Sequence, residues 1–205
     1  MWRGWRVIIP VVGVNAAVQS LLLLPGVLPY LSVAFVIVAV AGILALVALF
    51  GLLAVVALQS AVGPVDAALA MRLAVRRCWL LFAWSVALLV LVLIGLSLYV
   101  LPGLILLAVT PFVLLAVADG RRNPIAANMR VIGARWARWL VTLLMMGIIC
   151  LGLWLLGATD GFFVTGAPGG FIAWLAFGLV SAWFIGAWAL LYRSVLADGQ
   201  EPGPA

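Results

Sequence analysis

The chain has no lysine and no histidine, and only four aspartates, one glutamate and two cysteines in 205 residues. Charged residues make up 8% of it, whereas a soluble domain carries about a quarter. In water such a chain would present apolar surface on every side, so a soluble globular domain is excluded. Without histidine the commonest metal ligand and general base is missing. Cys78 and Cys150 fit no metal-ligand spacing and read as inert, buried thiols. Paired carboxylates, nucleophile–base pairs and phosphate-cradling glycine loops are also missing, so the expectation is a non-enzymatic protein with no cofactor or metal. Asp66, Asp119 and Asp198 fall at the ends of apolar runs, Asp160 in a loop and Glu201 in the tail. None falls at mid-membrane depth, where a proton-coupled transporter places an ionisable group.

What is present is apolar: 69% of the residues, with a mean hydropathy of +1.40. Only a lipid bilayer makes that composition stable, and in a bilayer the backbone must satisfy its own hydrogen bonds, which points to helices. The expected fold is an all-α integral membrane protein of six transmembrane helices, forming one domain over residues 1–197 with a short tail at 198–205. The apolar runs place spans at about 7–24, 30–58, 79–101, 103–117, 139–156 and 171–191, each near the roughly 20 residues that cross about 30 Å of hydrocarbon. Pro25-Gly26, Leu101-Pro102-Gly103 and the segment Gly157–Gly170 mark the outer turns, and the fourth span is short and contains Pro111. The first run lacks a small-residue cleavage site and reads as an uncleaved span.

The arginines set the orientation. With the N-terminus inside, Arg3 and Arg6, then Arg72, Arg76 and Arg77, then Arg121, Arg122, Arg130, Arg135 and Arg138, and finally Arg193 all fall on the cytoplasmic side. That accounts for all eleven and leaves the outer loops with none, as the positive-inside rule requires. Both termini are therefore expected in the cytoplasm. Arginine use without lysine suits a GC-rich genome of the actinobacterial kind, and hence a bacterial cytoplasmic membrane. Arginines confined to membrane edges act on topology and on anionic headgroups, so nucleic acid is not an expected partner. Trp2, Trp5, Trp79, Trp136, Trp139 and Trp188 near the inner interface, with Trp154 and Trp174 near the outer one, give the matching aromatic belt.

Two cytoplasmic connections read as helices. Gly63-Pro64 opens one that ends at Arg77, and Asn123-Pro124 opens another that ends at Arg138. In the second, Ile125, Met129, Ile132, Trp136 and Trp139 form one apolar stripe with Arg130, Arg135 and Arg138 off it, the pattern of an amphipathic helix lying in the interface. In the first, Arg72 and Arg76 share a face with Val65 and Leu69, so it reads either as an interfacial helix or as a span continued into the cytoplasm. At an offset of 60, Pro64, Ala67, Ala74, Trp79 and Leu80 align with Pro124, Ala127, Ala134, Trp139 and Leu140. Each unit then ends in Ala-Asp-Gly, at 118–120 and 197–199, which suggests a tandem repeat of interfacial helix and hairpin.

The run from Ala118-Asp119-Gly120 through Asn123-Pro124-Ile125-Ala126-Ala127 to Arg138-Trp139 resembles the membrane domain associated with glycerophosphodiester phosphodiesterases and its stand-alone bacterial relatives. There an acidic-Gly turn precedes an Ala-rich amphipathic helix that ends in basic residues and Trp. The closing Leu191-Tyr192-Arg193 is similar to theirs, and the likeness covers about the last two-thirds of the chain. The resemblance implies a six-span bundle with interfacial helices and no activity, because the phosphodiesterase chemistry belongs to a separate soluble domain.

Two groups of candidate functional residues follow. Arg121, Arg122, Arg130, Arg135 and Arg138 are candidate contacts for anionic lipid. Asn15 and Gln19, four apart on the first span, share a face that must point at another helix, another subunit or a substrate. The leading functional expectation is an accessory or scaffolding subunit of a larger, lipid-handling envelope-membrane complex, with an integral membrane partner or a second copy of itself. The alternative is a small stand-alone transporter or lipid-translocating protein, for which Asn15, Gln19, Pro102 and Pro111 would matter.

Overall fold

A computed structural model describes residues 4–21, 33–98, 100–160 and 167–198, and among these every regular element is a helix. In chain order they are α1 (Trp5–Leu21), α2 (Val33–Ser60), α3 (Ala67–Arg76), α4 (Cys78–Leu98), α5 (Val100–Val109), α6 (Val113–Asp119), α7 (Pro124–Ala134), α8 (Trp136–Asp160) and α9 (Ala167–Asp198). Five stretches are long and apolar enough to cross a membrane: α2, α4, the α5–α6 run, α8 and α9. The shorter α1 is also apolar. The chain is thus an all-helical protein built of membrane-compatible helices. The turn expected at Pro25-Gly26, part of the Gly157–Gly170 segment, Trp2, Arg3 and the tail from residue 199 lie outside the described residues.

Length and burial show where the bundle is held. The 28 residues of α2 extend about 42 Å and the 32 of α9 about 48 Å, both beyond roughly 30 Å of hydrocarbon. The larger core cluster gathers at the C-terminal parts of both helices. Gly51 to Leu58 of α2 are buried without interruption, against α6, α3 and α4 and the last turns of α9. Of the 18 residues of α2 ahead of Gly51, nine are exposed and only Gly42, Val47 and Leu49 are buried. The described arginines sit on segments at this same packed end, from Arg6 at the start of α1 to Arg193 near the end of α9.

Local chemistry moves several boundaries away from the sequence reading. The first connecting helix starts at Ala67, later than Gly63-Pro64, because Asp66 is the better N-cap: its carboxylate accepts the Ala68 and Leu69 N–H groups at 2.9 and 3.2 Å. α4 ends at Leu98 and α5 begins at Val100, so Pro102 lies in the first turn of α5, where its missing N–H costs nothing, rather than in the turn expected at Leu101-Pro102-Gly103. The α4–α5 hairpin closes tightly, since a Cβ on Gly95 would come within 2.9 Å of the Gly103 backbone. The helix expected to run unbroken from Pro124 to Trp139 is interrupted at Arg135 (φ −136°, ψ 41°), as α3 and α4 are at Arg77 (φ −110°, ψ 10°). In both places a short N-capped helix meets a long apolar one through a single arginine. Cys78 is exposed, at the edge of the space between α1, α2, α3 and α4, and Cys150 is half-buried, contrary to the buried pair expected.

Candidate functional site

The packed, arginine-rich end holds two polar clusters and opens onto a groove. The first cluster repairs a break in the membrane run. Pro111 has no N–H, and α5 stops at Val109 while α6 resumes at Val113. Here Val113 N–H turns back to Thr110 C=O at 3.2 Å, so the carbonyls of Ala108 and Val109 and the N–H of Phe112 have no partners within the helix. Two side chains from the next connection supply them. Asn128, fully buried on α7, accepts from Phe112 N–H at 3.0 Å and donates to Val109 C=O at 2.7 Å. Trp139 Nε1 donates to Ala108 C=O at 3.1 Å. Non-helical backbone among apolar helices is stable only when the protein covers it in this way.

This use of α7 and α8 refines the expected interfacial helix. Ile125, Met129 and Trp136 are exposed as a membrane-facing stripe would be, but Trp139 turns inward to the break. The opposite side of α7, with Ala127, Asn128 and Val131, is buried against the protein.

The second cluster centres on Asp119. Gly120, at φ 81°, ends α6 in the left-handed conformation: its N–H bonds Val117 C=O and the N–H of Arg121 bonds Ala116 C=O, both at 3.0 Å. A side chain at position 120 would collide with the guanidinium of Arg77, which donates to the carbonyls of Val117 and Ala118. A cation at the carbonyl end of a helix is favourable. The Asp119 carboxylate, 12% exposed, takes Arg121 Nε at 2.9 Å, Arg193 Nη2 at 3.1 Å and the hydroxyl of buried Tyr192 at 3.2 Å. The hydrogen bond to Asp119 raises the Arg121 guanidinium above its ordinary value, against the opposite effect of burial. The cluster joins the start of α4, the end of α6 and the end of α9.

The candidate lipid contacts therefore divide. Arg121 is engaged by Asp119 and Arg135 occupies the α7–α8 joint, while Arg122, Arg130 and Arg138 are exposed without an acidic partner among the described residues. No family model, curated protein or solved structure matches this chain. Its site is read from geometry alone. Asp119 and Tyr192-Arg193, the motifs quoted above at residues 118–120 and 191–193, meet in one cluster.

On α1 the polar pair also separates. Gln19 donates to Gly42 C=O at 2.8 Å and so ties α1 to α2. Asn15, 3% exposed, has no partner for either amide atom among the described residues. Asn15→Leu is therefore expected to leave stability unchanged or raise it by about 1 kcal/mol, and Gln19→Leu to lower it by a similar amount. Reversible unfolding of the purified variants in mixed detergent reads the difference, and equal losses would contradict it.

Asn15 also stands in the wall of a groove of about 540 Å³ between α1, α2, α3 and α4. Pro10, Ala48, Leu52, Met71 and Phe82 give it an almost wholly apolar lining. Beside it on α3 is a shallower cleft of about 430 Å³ that shares Met71 and Val75 and adds Arg72 and Arg76.

Sequence reasoning missed Asn128, and it named Asp119 and Tyr192 only within short motifs, without their pairing. A signal existed for the first: a proline inside an apolar run demands an outside cap, and Asn128 lies off the apolar stripe of α7. Asp119 stood before a glycine at a helix end, but nothing in the sequence names partners 73 residues away.

Proposed function

We propose that this chain is a non-enzymatic accessory or scaffolding subunit of a lipid-handling complex in a bacterial cytoplasmic membrane. In this reading α1 is a sixth span, both termini and the arginine-rich end face the cytoplasm, and the α3–α4 and α7–α8 units are tandem copies of one element. The single observation that carries it is the state of α8. Across its apolar length from Trp136 to Gly157 no residue is buried, and its main contacts are with α9 and α7 alone. Leu144, Ile148, Leu151 and Trp154 stand exposed along it. A helix so lightly held by its own chain offers a long surface on which another membrane helix packs.

Transport is less well supported. The span break at Pro111 is the natural place for a substrate or ion, but its backbone groups at Ala108, Val109 and Phe112 are already taken by Asn128 and Trp139. The accessory reading predicts a stoichiometric integral membrane partner after purification from native membranes in mild detergent, and its loss on Ile148→Trp. A chain that purifies alone, with Ile148→Trp behaving as the parent, would refute the reading.

A further inference from the structure

We propose that the groove walled by α1, α2, α3 and α4 binds one anionic phospholipid from the bilayer, its acyl chain lying along the groove and its phosphate held by Arg72 and Arg76. The proposal does not depend on the accessory reading, since a chain without protein partners would hold the lipid in the same way.

The groove has the chemistry of a tail site. Its lining is apolar, and its volume of about 540 Å³ lies within the range of roughly 300–1,000 Å³ usual for small-molecule sites. Met71 and Val75 continue it into the cleft on α3, and both remain exposed, so the apolar path runs from the groove to the arginines. Arg72 and Arg76 are four apart on a helix and thus neighbours on its surface.

Charge complementarity identifies the occupant. Arg77, the next residue, is used by the α6 carbonyls, whereas Arg72 and Arg76 have no acidic partner among the described residues. The carboxylate nearest in sequence, Asp66, serves as the cap of the same helix. Two unneutralised guanidinium groups in a cleft that shares Met71 and Val75 with an apolar groove fit an amphiphile with a phosphate at one end and a hydrocarbon chain at the other.

The test is native mass spectrometry of the full chain, stripped of lipid in detergent and titrated with dioleoyl phosphatidylglycerol or dioleoyl phosphatidylcholine. The parent should take up one phosphatidylglycerol in preference to phosphatidylcholine. R72Q/R76Q should weaken that binding about 30-fold, which corresponds to about 1 kcal/mol for each arginine. Ala48→Trp, which fills the groove, should abolish it, while R122Q/R130Q, whose residues line neither the groove nor the cleft and can meet only other headgroups, should leave this one site unchanged. Equal weakening by the two arginine pairs would overturn the proposal in favour of general headgroup attraction. Equal binding of the two lipids would overturn it as well, and displacement by millimolar inorganic phosphate, with no effect of Ala48→Trp, would show a phosphate site instead. Should Ala48→Trp fail to fold, the comparison of the surface pairs decides alone.

Discussion

Asn128→Leu is expected to lower the stability of the purified protein by about 4 kcal/mol. The substitution leaves two groups at the Pro111 break, Phe112 N–H and Val109 C=O, without partners in a buried place. Each such loss costs about 1–3 kcal/mol. Water cannot replace the side chain easily, since Phe112 and Val113 beside it are fully or almost fully buried. Trp139→Phe removes a single bond, to Ala108 C=O, and should cost only about 1 kcal/mol. Unfolding of each variant by increasing denaturing detergent measures the two losses. If they were equal, Asn128 would be an ordinary core residue and the break would be stabilised by something else.

The Asp119 cluster gives the second large effect. Asp119→Ala removes the acceptor of Arg121, Arg193 and Tyr192 together and should cost about 3 kcal/mol. The figure is below that of a deeply buried pair because the two arginine side chains are more than a third exposed and solvent screens them. Tyr192→Phe should cost about 1 kcal/mol, and adding it to Asp119→Ala should cost almost nothing further, because the hydroxyl no longer has its acceptor. A double variant with fully additive losses would show that the residues act separately. Since Arg77 touches the same helix end, Asp119→Ala should also loosen the joint between α3 and α4, seen as faster hydrogen exchange at Arg77 and Cys78.

These two clusters show how far the sequence could be read. Apolar runs separate helices from turns because a membrane tolerates nothing else, so the all-helical class and the positions of α2, α4, α8 and α9 followed from composition and run length. Asn123-Pro124 marked the start of α7 because its mechanism is local: the Asn side chain caps Ala126 N–H at 3.0 Å and Pro occupies the first turn. Where the decisive partner is distant in sequence, the reading stopped. Pro111 announced a break, but the side chains that close it come from the following connection. Arg77 counted only as a topology signal, yet it is tied to the carbonyl end of α6, about 40 residues further along the chain. Asn15 and Gln19 looked like a matched pair by spacing, and only packing against Gly42 separates them. The groove was beyond reach for the same reason, since its walls come from four helices that the sequence does not arrange.

The central claim is that the arginine-rich end, with its two clusters and the cleft beside the groove, faces the cytoplasm across a membrane that the helices span. Single cysteines placed at Ala126 and at Thr165, in a chain carrying Cys78→Ser and Cys150→Ser, test it directly with a membrane-impermeant maleimide. The claim predicts that in intact cells Thr165→Cys is labelled and Ala126→Cys is not, and that Ala126→Cys, on an exposed face of α7, becomes reactive once the membrane is opened. Labelling of Ala126→Cys from outside intact cells, with Thr165→Cys protected, would contradict it.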